Sequence, residues 1–174
     1  MKKIFLLALA ASVLSCKAPV KEETPAPETT SVALPYTATY SSQTNQDVSD
    51  SDLLTVLDSY KAWESGDMKV LRSTFGDSIT FNGWDGTYYS GLTEGLLDKW
   101  STSRDSLSSV RIEMAAWVKV HSIDKNADFV NVWYKEIDTY KTGKVDSADW
   151  HDINMVKNGK IAWYSQYKRP FKAK

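Results

Sequence analysis

The sequence predicts an α+β domain in which helices come first and a long antiparallel sheet follows. Three observations carry this: apolar residues at helical spacing between residues 49 and 106, a switch to period-two alternation from residue 110, and turn residues between the alternating segments. The first helix is read in "SDSDLLTVLDSYKAWESGD", where Leu53, Val56, Leu57, Tyr60 and Trp63 recur on one face and Ser and Asp stand ready as caps. Gly66 stops it, because glycine alone takes the left-handed backbone of a helix C-terminus without steric cost. Asp67 caps a second, shorter helix through Leu71 to Phe75. A short strand "SITFN" and a glycine-rich turn "GWDGTYYSG" follow, and a third helix runs from about Thr93 to Ser106, burying Leu96, Leu97 and Trp100.

The four segments "VRIEMAAWVKVHSI", "DFVNVWYKEIDTY", "VDSADWHDINMV" and "KIAWYSQYKR" then alternate as strands, with turns at Asp124–Ala127, Thr142–Lys144 and Lys157–Gly159. Asn-Gly in "KNGK" is a strong hairpin signal, since both residues tolerate positive φ. Both faces of these strands are apolar. Phe129, Trp133 and Ile137 lie on one side of the second and Val130, Val132 and Tyr134 on the other. The last divides Ile161, Trp163 and Tyr167 from Ala162, Tyr164 and Gln166. Three modest helices cover one face of such a sheet, so the other predicts a partner, most simply a second copy of the chain.

The chain ahead of this domain has a different character. Lys2 and Lys3 precede an apolar run, Ile4 to Val13, too short to span a bilayer, and Leu14, Ser15 and Cys16 resemble a bacterial lipobox. Residues 1–15 are read as a lipoprotein signal peptide and Cys16, the only cysteine, as an acylated anchor. One cysteine forms no intramolecular disulfide and no thiolate metal site. Residues 16–47 hold four of the five prolines among Thr, Ser, Glu and Ala, and read as a disordered tether reaching on the order of 30 Å. Lys21, Glu22 and Glu23 resemble the signals of some surface-exposed Bacteroidetes lipoproteins. The expected location is the cell envelope, on the outer membrane, facing periplasm or surface. Without Lys2 and Lys3 the chain carries 19 basic and 22 acidic side chains, a formal charge of −3, which argues against nucleic acid as a partner. Residues 48–174 form the single globular domain.

In "YKAWESGDMKVLRSTFGDSITFNGWDGTYYSG" the order of Gly66, Asp67, Phe75, Asp77, Gly86 and Gly91 resembles the opening of the nuclear transport factor 2-like superfamily, including its SnoaL-like proteins. The closing "WHDINMVKNGKIAWYSQY" is similar to that superfamily's last hairpin. The resemblance covers residues 50–169 and implies a cone: a curved antiparallel sheet wrapped by the three helices, with a pocket inside and dimerisation through the outer sheet face. Superfamily members include isomerases, dehydratases, cyclases and epoxide hydrolases, so the resemblance implies no single reaction.

His151 beside Asp152 invites reading as a catalytic dyad, but neighbours on a strand point to opposite faces. Alignment of the last hairpin with the steroid-isomerase branch puts Trp150, Asp152 and Asn154 on the pocket side, with Asp152 where those enzymes keep a protonated acid. Their general base would fall at about Gly83 and their tyrosine at about Ser59. Recruiting Asp85 or Tyr60 instead requires a one-residue slip that helix phase and strand parity oppose. His121 reads as a locally bonded residue. The expected ligand-binding set is therefore aromatic with a few polar groups: Tyr60, Trp63, Phe81, Trp84, Trp117, Trp150, Asp152, Asn154, Tyr164 and Gln166. Asp152 and Tyr164 are the catalytic candidates if a reaction occurs. Neither a metal nor a cofactor motif is present in the sequence. The function expected is a membrane-tethered module binding a small apolar or aromatic ligand; the alternatives are a SnoaL-like lyase, isomerase or cyclase and a structural envelope lipoprotein.

Overall fold

In the computed structural model of the chain, residues 44–170 are described; they belong to one compact unit, Tyr36–Lys174. The segments read as signal peptide, acylated Cys16 and most of the tether lie outside the described residues. Three helices, α1 (Asp50–Ser65), α2 (Met68–Thr74) and α3 (Thr93–Asp105), accompany seven strands. These are β1 (Thr44–Asn45), β2 (Phe75–Asn82), β3 (Tyr88–Leu92), β4 (Leu107–Ser122), β5 (Ala127–Tyr140), β6 (Val145–Lys157) and β7 (Lys160–Pro170). They make one sheet in the order β1-β4-β5-β6-β7-β2-β3, antiparallel except where β2 runs parallel to β7.

Helix α1 forms where its caps and apolar spacing place it. Ser49 accepts from the Asp52 N–H at 3.1 Å, and Asp50 and Asp52 face the positive end of the helix dipole. Gly66, at φ 77°, ends it, and Arg104 of α3 then donates to the Trp63 and Glu64 carbonyls at 3.0 and 3.1 Å. The Trp63 carbonyl also accepts the Gly66 N–H at 3.2 Å, and Arg104 adds side-chain donors to this end and brings a cation to the negative end of the dipole. Arg104→Ala is expected to cost about 1–3 kcal/mol in urea unfolding. Lysine, which lacks the planar fork, should restore only part of it. Asp67 caps α2 as read, accepting from the Val70 N–H at 2.9 Å.

Two local readings need correction. The helix read as reaching Phe75 ends at Thr74, and Phe75 already opens β2. The stretch read as one turn, residues 83–91, holds a tight loop at 83–87 and then β3, which pairs with β2 through Phe81↔Tyr89. Glycine and serine inside β3, and the exposure of Tyr88 and Leu92, hide its alternation. The paired backbone also begins at Thr44, opposite Ser122, ahead of the Val48 boundary.

The predicted meander is present, and its last turn uses Asn158 and Gly159 at φ 53° and 69°, the positive pair that matches hairpin twist. Bulges interrupt the registers at Met114/Ala116 and at Met155/Val156, where Ala162 is the extra residue of β7. A bulge bends its strand and raises the local twist, which curls the sheet around the helices. The second bulge also changes strand parity. Ile161, expected on the face of Trp163 and Tyr167, is fully buried in the same core as Tyr164. That core gathers Val56, Leu71, Phe75, Ile79, Val130 and Val132 between the helices and the concave face.

Candidate functional site

Strand parity on β5 lays down one wall of a cavity. Its inward residues run Val130, Val132, Tyr134, Glu136, Asp138, Tyr140, so the concave face changes from apolar to acidic along a single strand. β6 contributes Trp150 and Asn154, β7 contributes Tyr164 and Gln166, and α1 closes over them with Ser59, Tyr60 and Trp63. The pocket they form has a volume of about 410 Å³ and opens to solvent. Trp84, from the loop after β2, stands at the mouth edge-to-face with Trp150 at 6.3 Å and is 52% exposed.

Asp152 is 0% exposed. Its Oδ2 accepts three phenol hydrogens, from Tyr60 at 2.9 Å, Tyr134 at 2.9 Å and Tyr164 at 2.7 Å. Asn154 donates to the Tyr60 hydroxyl and to the Val130 carbonyl, each at 3.2 Å, and Gln166 donates to the Tyr164 hydroxyl at 2.7 Å. Oδ1 of Asp152 has no hydrogen-bond partner among the described residues. Burial pushes the carboxyl up to about 6, held from going further by hydrogen bonds from Tyr164, Tyr134 and Tyr60. Burial and the charge of Asp152 in turn raise all three phenols well above their ordinary value, so they remain neutral donors.

The expected residues separate into groups. Tyr60, Trp63, Trp84, Trp150, Asn154, Tyr164 and Gln166 line the cavity together, and Asp152 lies behind the tyrosine hydroxyls. Phe81 does not line it; its ring sits one layer back in the core, 5.5 Å from Tyr164 and 5.3 Å from Trp100. Trp117 is elsewhere, 49% exposed in a groove with Leu57, Lys61 and Met114. Tyr60, set aside because its recruitment needed a slip in helix phase, reaches Asp152 after all, while Ser59 bonds back to the Val56 carbonyl at 2.7 Å. Asp85 stays in the exposed loop, where its backbone and side-chain bonds with Thr87 lower its pKa.

Tyr134, Glu136, Asp138 and Trp100 line the site and were not singled out from the sequence. Burial pushes Glu136 up to about 8, with Asp138 and Asp152 adding to the rise and Lys168 and Trp63 opposing it. Asp138 is likewise raised, mainly by burial. The parity that assigned Tyr134 to the Val130 face also gives Glu136 and Asp138, two and four residues on.

His151 has no part in this site. It faces outward in a stack with Trp133, centroids 4.5 Å apart and planes 4° apart, and with Tyr167 at 5.8 Å. Burial lowers its pKa, so the ring is held neutral. His121 pairs across the β4–β5 ladder with Asp128, Nδ1 to Oδ1 at 2.6 Å.

A curled sheet around three helices, with a pocket inside, has the nuclear transport factor 2-like cone fold. Solved structures agree. An epoxide hydrolase of the LEH-like type from M. tuberculosis superposes with a TM-score of 0.59 at 10% identity, covering 69% of this chain and 84% of that one. IdmH, a putative polyketide cyclase from Streptomyces antibioticus, gives 0.55 at 17% identity over 67% and 91%. An NTF2-like protein of unknown function from Burkholderia pseudomallei gives 0.53 at 11% identity over 68% and 91%. No protein-family model and no curated protein matches the sequence. At these identities the likeness establishes the fold alone.

Proposed function

We propose that the protein is a small-molecule-binding module, tethered to the cell envelope through acylated Cys16. The observation that carries the binding reading is the cavity of about 410 Å³, whose aromatic walls surround a few fixed polar groups. A purely structural lipoprotein would have no use for a hollow core of this size. Native mass spectrometry of the full chain tests the reading. A defined extra mass, lost on Trp63→Ala, is the expected result; a mass equal to the bare polypeptide in every preparation, with no binder from a compound screen, would count against it.

A second reading is favoured by one observation, the three phenols directed at one carboxylate oxygen. In a lyase, isomerase or cyclase, the Tyr164 hydroxyl would take a proton from the substrate while passing its own to Asp152. The carboxylate ends protonated and the phenol unchanged. With Asp152 at about 6, it is mostly ionised at pH 7 and suited to accept a proton, less so to donate to an oxyanion. Asp152→Asn would abolish such a turnover while leaving the cavity in place.

The outer face is the proposed seat of a second copy. Trp133 is 36% and Tyr167 54% exposed beside the stacked His151. Trp133→Asp is expected to convert a dimer to a monomer in sedimentation equilibrium without changing the circular dichroism spectrum. A wild-type chain that is monomeric at tens of micromolar would remove this part of the proposal.

A further inference from the structure

We propose that the cavity takes an organic cation, a protonated amine or quaternary ammonium, whose charged head lies by Glu136 and Asp138 and whose apolar body packs on the tryptophans. This rests on the reading of the cavity as a ligand site and specifies the chemistry it selects. Glu136 and Asp138 both line the cavity, and Asp152 lies beneath it. Oδ1 of Asp138 is shielded from solvent with no hydrogen-bond partner among the described residues, as is Oδ1 of the wholly buried Asp152. Two basic side chains are near, and each is already engaged. Arg104 holds the end of α1. Lys168 sits at the mouth with its ammonium 4.8 Å from the Trp84 ring and 5.0 Å from the Trp150 ring.

That lysine shows what the aromatic mouth accepts. A cation over an indole face is attracted by the ring quadrupole, and more strongly once desolvated. An anionic ligand would meet the Glu136 and Asp138 carboxyls, and a neutral one would make no use of their charge. A metal ion is a poorer fit, because no three His, Cys, Asp or Glu side chains among the described residues are grouped to hold one. Polarizable rings with flanking carboxyls, by contrast, suit a large, weakly hydrated cation.

Binding should also release a proton. The groups facing Glu136 are Trp63 from α1, Tyr134 and Asp138 on its own strand, Asp152 from β6 and Lys168 from β7, with Arg104 of α3 acting on Asp138. With Glu136 at about 8 the empty site is largely protonated at neutral pH. A cation favours the carboxylate, so its affinity must rise with pH until Glu136 is ionised without it.

Isothermal titration calorimetry of the purified full chain tests this with three probes: benzyltrimethylammonium, whose charge does not titrate, neutral 2-phenylethanol and anionic 3-phenylpropionate. The cation is expected to bind about tenfold or more tighter than the alcohol, and tighter at pH 9 than at pH 6.5. In the Glu136→Gln/Asp138→Asn variant both the preference and the pH dependence should disappear. Equal or tighter binding of the alcohol, or a preference unchanged in that variant, would overturn the cation proposal and leave the binding reading intact. If none of the three binds at millimolar concentration, both fall. The pH comparison on the unaltered chain stands even if the double variant does not fold.

Discussion

Replacing Asp152 with alanine is expected to destabilise the domain by on the order of 3–5 kcal/mol, the largest loss predicted for any single side chain here. The reason is arithmetic in donors. Tyr60, Tyr134 and Tyr164 all give their hydrogens to Oδ2. Alanine would strand three buried phenols at once and leave a void beneath the cavity. Asparagine keeps an acceptor oxygen and the shape but adds an amide in need of its own acceptor, so its cost should be closer to about 1–2 kcal/mol. Urea titration followed by circular dichroism separates the two. If alanine costs no more than asparagine, the phenols are not held by the carboxylate, and Asp152 loses its place as the organising residue.

The second large effect concerns pH. A carboxyl whose folded pKa lies above its unfolded value keeps its proton in the native state where the unfolded chain has lost it. Native stability therefore falls as pH rises through that interval. For Glu136 the interval runs from about 4.5 to about 8, and the full span corresponds to roughly 3–5 kcal/mol. Asp152 acts in the same sense between about 4 and 6, and Asp138 in the same direction. His151 acts oppositely, its lowered pKa making stability rise with pH, but only below the ordinary histidine value of 6.5. In the window from pH 6.5 to 9 the share due to Glu136 is read by the Glu136→Gln variant against the unaltered chain. A decline in melting temperature across it, flattened by Glu136→Gln, is the expected outcome. A wild-type profile flat over the same range would mean that Glu136 is solvated and ionised.

How much of this was readable in advance depended on whether side-chain periodicity survived. It did in α1, α3 and the strands β5 and β6, because each buries one face over several turns or pairs. It failed in β3, whose five residues include Ser90 and Gly91, and in β7, where Ala162 shifts the face of Ile161. The site followed the same rule. Asp152 and Asn154 were legible from strand parity alone. Tyr60 was expected to line the pocket, but its bond to Asp152 was not, because choosing between it and Ser59 for that role requires the roll of α1 about its axis, a property of packing and not of the helix. Glu136 and Asp138 share parity with Tyr134, but charged residues near a hairpin end ordinarily face water, and the covering by Trp63 that buries Glu136 comes from a distant segment.

The position of β7 has a consequence for assembly. The last strand in the chain lies between β6 and β2, and it is the element that joins the early part of the polypeptide to the later meander. Until Lys160–Pro170 is available, β2 and β3 have no neighbouring strand, and α1 and α2 have only part of the surface they cover. Closure of such a sheet is a long-range event that waits for its latest central strand. A polypeptide with this connectivity stays open while it is being made and locks shut once Lys160–Pro170 can enter between β6 and β2.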